Sequence, residues 1–137
     1  MRVVLDTSVL LSGLINPQGT PAQLLVAWRA GRFDLVTAAE QLVELAAVSR
    51  RPVLHRRLVP AHVGRFINDL RELAYVVQRL PVVDRSSNPA ENFLLGIAEV
   101  ARADYLVSGD EPGMLALVDL VPTKIVGMQR FLRSLET

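Results

Sequence analysis

Cysteine is absent from the 137 residues, so disulfides and thiolate metal sites are excluded and any metal must be held by oxygen or imidazole. Histidine is nearly absent too; with only His55 and His62, a histidine-rich site is set aside. No apolar run reaches the roughly 18 residues of a membrane helix before charge, glycine or proline interrupts it. Low-complexity segments and internal repeats are missing as well. The chain opens directly on a strand-like segment without the layout of a secretory signal, so a cytoplasmic protein with no membrane association is expected. Lysine occurs once, at Lys124, and the positive charge is otherwise carried by arginine.

What is present is ample apolar material. A hydrophobic content of 50% in a chain of this length suits one core, and a single domain over 1–137 is expected. Short β-branched runs alternate with helical patterns. Strands are expected over 2–5, 33–37, 75–77, 105–108 and 124–126. Helices are expected over 8–14, from Pro21 to a stop at Gly31, from Thr37 to before Pro52, from Pro60 through Leu70, from Asn88 through Ala101, and over 128–135. Thr20 before Pro21 has the form of an N-cap, and Thr37 with Glu40 that of a capping box. Residues 84–88 form a polar loop and 112–117 a helical turn in this scheme. Strands alternating with helices imply an α/β fold, a parallel sheet with right-handed crossovers.

Charge is unevenly placed. From Ala46 through Asn68 there is no acid, yet Arg50, Arg51, Arg56, Arg57 and Arg65 lie there with both histidines. Arginine's planar fork suits phosphate, so Arg50, Arg51, Arg56 and Arg57 are candidate RNA-backbone contacts; a solvated helix face is the plainer alternative.

Two acids stand where surface acids do not usually stand. Asp6 ends the apolar run Val3-Val4-Leu5, and Asp110 follows Tyr105-Leu106-Val107-Ser108-Gly109. Parallel strands ending in aspartate place two carboxylates at the sheet edge where open α/β folds bind ligands. The competing explanations are an N-cap for Asp6 and a turn acid for Asp110. Glu44 lies mid-helix beside Leu42 and Leu45 with no capping role, where an unpaired charge is costly, unless it is simply a solvated helix acid. Glu91 fits a capping partnership with Asn88.

Asp6-Thr7-Ser8, Glu44-Leu45, the run Asn88 to Leu95 and the run Ala103 to Asp110 occur in order, and together they resemble the PIN-domain family. The resemblance extends from Met1 to about Leu117 and is nearest to the bacterial branch of toxin–antitoxin ribonucleases, related to the VapC-type toxins. It implies a three-layer α/β/α fold around a central, mostly parallel sheet, with acids holding Mg²⁺ or Mn²⁺ for cleavage of single-stranded RNA. On this resemblance Asp6, Glu44, Glu91 and Asp110 are the catalytic acids, with Asp6, Glu91 and Asp110 as metal ligands. Ser8 and Ser108 become supporting hydroxyls, although local capping would equally account for them. The implied partners are single-stranded RNA, a cognate antitoxin and a second copy of the chain. The sequence departs from the family pattern at Asn88, where an acid is common, at Glu91, where aspartate is usual, and in an extra residue within Glu111-Pro112-Gly113-Met114-Leu115. A catalytically silent PIN module that binds RNA or protein is the rival reading. A haloacid-dehalogenase-like phosphatase would need an acid at Ser8, and a response-regulator receiver would need adjacent acids after the first strand.

Overall fold

The computed structural model describes residues 1–81, 89–109 and 123–136; for residues 89–91 it describes the backbone alone. Five parallel strands form one sheet: β1 (Arg2–Leu5), β2 (Asp34–Ala38), β3 (Tyr75–Val77), β4 (Tyr105–Ser108) and β5 (Lys124–Gly127), in the order β3-β2-β1-β4-β5. Seven helices are described: α1 (Thr7–Ile15), α2 (Thr20–Arg29), α3 (Ala39–Ser49), α4 (Pro52–His55), α5 (Pro60–Leu73), α6 (Pro89–Ala101) and α7 (Met128–Leu135). The strands read as unbroken apolar runs because helices cover both faces.

Side chains alternate across the sheet, and the alternation builds two cores. Val3, Leu5, Leu35 and Val107 face α1, α2, α3, α5 and α7, with Leu10, Leu24, Leu45, Phe66, Leu70 and Phe131 buried among them. Val4, Val36, Leu106 and Ile125 face α6, which buries Leu94, Leu95, Ile97, Ala98 and Ala101 against them. Helices on both sides of a parallel sheet make the three-layer α/β/α arrangement expected from the sequence. Among the described residues no helix is long and apolar enough to cross a membrane.

Local details differ at three places. Thr20 is already helical, and Gly19 is the N-cap of α2, with extended backbone and no side-chain cap bond. Thr37 does not cap α3: its hydroxyl donates to Gln41 Oε1 at 2.5 Å, and Ala38 occupies the cap position. Pro52 both follows α3 and opens the one-turn α4, an element the sequence analysis does not assign. The helix stop at Gly31 holds, since its φ of 78° is the left-handed conformation that glycine adopts without strain. The loop over 84–88 and the helical turn over 112–117 lie outside the described residues.

Candidate functional site

From β1 the chain moves outward to β2 and β3, then returns past β1 to lay down β4 and β5. The carboxyl ends of β1 and β4 therefore flank the topological switch point, the crevice where open α/β sheets bind ligands. Asp6 is the first residue beyond β1, and its N–H donates to the Val107 carbonyl at 3.0 Å. Leu5 pairs with Val107, so the next step of the register sets Asp6 beside Ser108.

The Asp6 carboxylate is 9% exposed and has a structural role. Its Oδ1 accepts from the Ser8 N–H at 3.1 Å and caps α1. The capping reading therefore holds; the cap occupies one oxygen, and Oδ2 has no hydrogen bond among the described residues. A carboxylate held at the positive end of a helix is also electrostatically favoured there. Next to it, Ser108 is 1% exposed and its Oγ is buried with no hydrogen-bond partner among the described residues. Buried polar groups are nearly always satisfied, so the partner of Ser108 Oγ lies beyond the described residues, in the chain that follows Gly109 or in a bound water or ion. Ser8 is exposed at the same edge, and a Cβ at Gly109 would lie 3.1 Å from its Oγ. Glycine thus lets the chain leaving β4 pass close against the start of α1.

Glu44 lies on α3, which packs on α1. It is half-buried, and three residues before it on the same side of the helix is Gln41. Gln41 is fully buried; its Nε2 donates to the Leu5 carbonyl at 2.9 Å and to Thr7 Oγ1 at 3.2 Å. Leu5 and Thr7 flank Asp6, so Gln41 clamps the segment that carries the carboxylate. The sequence reading missed Gln41, and with it the bonds that join Thr7 and Thr37 through its amide. The available signal was an amide in the inner stripe of α3, in line with Leu42 and Leu45.

Of the remaining two acids, Glu91 is placed by its backbone alone and Asp110 lies outside the described residues. The C-terminus of α6 lies at the amino edge of the sheet, where the Arg2 side chain donates to the Ala101 carbonyl at 2.8 Å. A helix of 13 residues extends about 20 Å, so its first turn, with Glu91, lies toward the carboxyl edge. The Glu91 side chain lies outside the described residues, as does Asp110, which follows Gly109. Among the described residues no three acids or histidines are grouped to hold a metal ion. The donors described at the crevice are both oxygen: Asp6 Oδ2 and the Ser108 hydroxyl, neither with a hydrogen bond among the described residues. Such a set fits a hard divalent cation and would suit no soft metal.

Arg50, Arg51, Arg56 and Arg57 are exposed around α4, and none has an ion-pair partner among the described residues. Arg29, by contrast, is tied to Asp69 at 2.9 Å. Trp28 is buried in the core and offers no interface.

A search among curated proteins finds no match to this sequence. A family model described as PIN domain matches residues 2–111, which includes Asp6, Glu44, Glu91 and Asp110. PIN domains are generally nucleases. With most of its length matched and a parallel α/β/α sheet presenting Asp6 at the switch point, this chain belongs to the PIN-domain family.

Proposed function

We propose that the protein is a divalent-metal-dependent endoribonuclease acting on single-stranded RNA in the cytoplasm, as the toxin of a toxin–antitoxin pair. The observation that supports this reading is the pairing, at the switch point, of the Asp6 carboxylate with a buried Ser108 hydroxyl, neither Asp6 Oδ2 nor Ser108 Oγ having a hydrogen bond among the described residues. Asp6, Glu91 and Asp110 would hold Mg²⁺ or Mn²⁺. When bound, the ion would activate water for in-line attack on a phosphodiester and stabilise the leaving oxygen.

The chain's own contributions follow from its geometry. The cap bond and the Gln41 clamp fix Asp6 before substrate arrives, so no ordering of that side chain is needed on binding. Four carboxylates brought together repel one another, which favours cation uptake over an empty cluster. Glu44, on the α3 side, would orient the attacking water by accepting its proton or hydrogen bond. Ser108 and Ser8 would donate to a phosphate oxygen or a water. Arg50, Arg51, Arg56 and Arg57 would neutralise backbone phosphates and make binding salt-dependent. An antitoxin covering the acidic crevice and pairing of two copies complete the proposal; the exposed Val26 of α2 is apolar surface that suits such a contact.

The cap bond of Asp6 also favours the rival, a catalytically silent module in which this acid only starts α1. Asp6→Asn separates the two, because asparagine caps as well as aspartate but lacks the charge. Calorimetric titration with Mn²⁺ should show binding to the wild type and its loss in Asp6→Asn, with the fold intact by circular dichroism. Equal Mn²⁺ affinity in both would leave Asp6 a cap only.

A further inference from the structure

A second concavity lies away from the carboxylates, between the C-terminal end of α3, α4 and the first half of α5, with a volume of about 370 Å³. One wall is a stripe of α5 at helical spacing, Pro60, Val63, Gly64 and Ile67. Its floor is aliphatic, since Leu58, Val63 and Ile67 are each buried to 9% exposure or less. Its rim is polar and cationic, formed by Arg50 from α3 and His55 from α4. Around that rim stand Arg51, Arg56, Arg57 and Arg65, all exposed, in a stretch of sequence that contains no acid.

Gly64 gives the pocket a feature that packing does not explain. It is the fifth residue of a 14-residue helix, where glycine is a poorer helix former than alanine. It needs no positive φ, and a Cβ built on it would meet nothing within 4 Å. Close helix packing therefore does not require a glycine at this position. What the missing side chain does is keep the wall of the pocket bare, as expected where backbone must approach a ligand closely.

We infer that this pocket is a subsite for one nucleotide of single-stranded RNA, the base resting on the aliphatic floor and Gly64 while Arg50 and His55 cover its face and the neighbouring phosphates. This rests on the ribonuclease reading and extends it to substrate recognition. Single strands are gripped by side-chain planes on which an unstacked base can lie, together with cations that follow the backbone; the Arg50 guanidinium and the His55 ring supply such planes over the aliphatic floor. The volume lies at the small end of ligand pockets, which suits one nucleotide. The surrounding charge favours a polyanion over an apolar side chain of a protein partner.

The test is fluorescence anisotropy of a labelled ten-nucleotide single-stranded RNA with the full chain and no added divalent metal, so that nothing is cleaved. Gly64→Leu improves helix propensity and fills the pocket; it should lower affinity about tenfold while melting no earlier than the wild type. Gly64→Ala should bind within about twofold of the wild type. Arg50→Ala should weaken binding and reduce the slope of log affinity against log salt by about 0.7. Wild-type affinity in Gly64→Leu overturns the inference, and it is also the result expected if the pocket takes a protein side chain instead. The two readings fail separately: normal RNA binding by Gly64→Leu with cleavage that requires Asp6 removes the subsite alone, and cleavage independent of Asp6 removes the nuclease alone.

Discussion

Replacing Gln41 by leucine conserves volume and helix propensity but removes the amide that joins three segments at the base of the crevice. Lost with it are the bonds from Nε2 to the Leu5 carbonyl and Thr7 Oγ1 and the bond accepted from Thr37 Oγ1. Each is worth about 1 kcal/mol net, and a buried Thr37 hydroxyl left without its acceptor adds about 1 kcal/mol or more. The expected loss is about 2–4 kcal/mol, a lowering of Tm by roughly 10 °C for a domain of this size. Urea unfolding followed by Trp28 fluorescence reads it directly, since Trp28 is the only tryptophan and is 5% exposed in the folded state. The partner substitution Thr37→Val, made on top of Gln41→Leu, should cost less than it does alone, because the hydroxyl it removes is already unsatisfied. Mn²⁺ affinity should fall with stability, as the segment carrying Asp6 loses its clamp. A loss below about 0.5 kcal/mol would show that the network contributes little and would refute the reasoning.

Other substitutions test the packing. A Cβ at Gly13 would lie 2.5 Å from Leu25 Cδ1 and 3.3 Å from the Pro21 carbonyl, so Gly13→Ala should destabilise by about 1–2 kcal/mol despite alanine's better helix propensity. Equal or greater stability in that variant would mean α1 and α2 can separate freely. Arg102 follows α6 with φ of 52°, a left-handed conformation that costs a residue with a Cβ, so Arg102→Gly should raise stability by about 0.5–1 kcal/mol. A lower Tm would show that the arginine side chain holds that corner by some other contact. Asp6→Asn should change unfolding free energy by less than about 0.5 kcal/mol, because the cap to the Ser8 N–H survives; a loss of 2 kcal/mol or more, read by urea titration, would contradict the description of the site.

The strands and most helices were legible because the strands are short unbroken apolar runs and the helices repeat their apolar residues at helical spacing, and because proline and glycine mark the ends at Pro21, Gly31, Pro60 and Pro89. Asp6 stands out in the sequence as a candidate because a buried strand ending in an acid is rare without cause, and its place at the switch point and its cap on α1 supply one such cause. Thr37 misled because a local rule and a tertiary partner compete for the same hydroxyl. Its capping partner Glu40 is visible three residues away, whereas its use by Gln41 makes sense only once Gln41 is seen to grip Leu5, 36 residues distant. Gln41 itself was silent in the sequence for the same reason: a lone amide acquires meaning from partners in another strand. Thr20 was displaced from its cap because α2 begins one residue earlier, on an extended Gly19. In the same way Ser108 looks like any strand-end serine until its burial, with no hydrogen-bond partner among the described residues, is seen.

The central claim is that Asp6 and its companion acids cut RNA. Cleavage of a labelled single-stranded RNA in Mg²⁺ or Mn²⁺, compared between the wild type, Asp6→Asn and Asp110→Asn, tests it most directly. The account predicts metal-dependent cleavage by the wild type, abolished by chelation and reduced about 100-fold or more in each variant with the fold retained. Cleavage by Asp6→Asn or Asp110→Asn at the wild-type rate would contradict it.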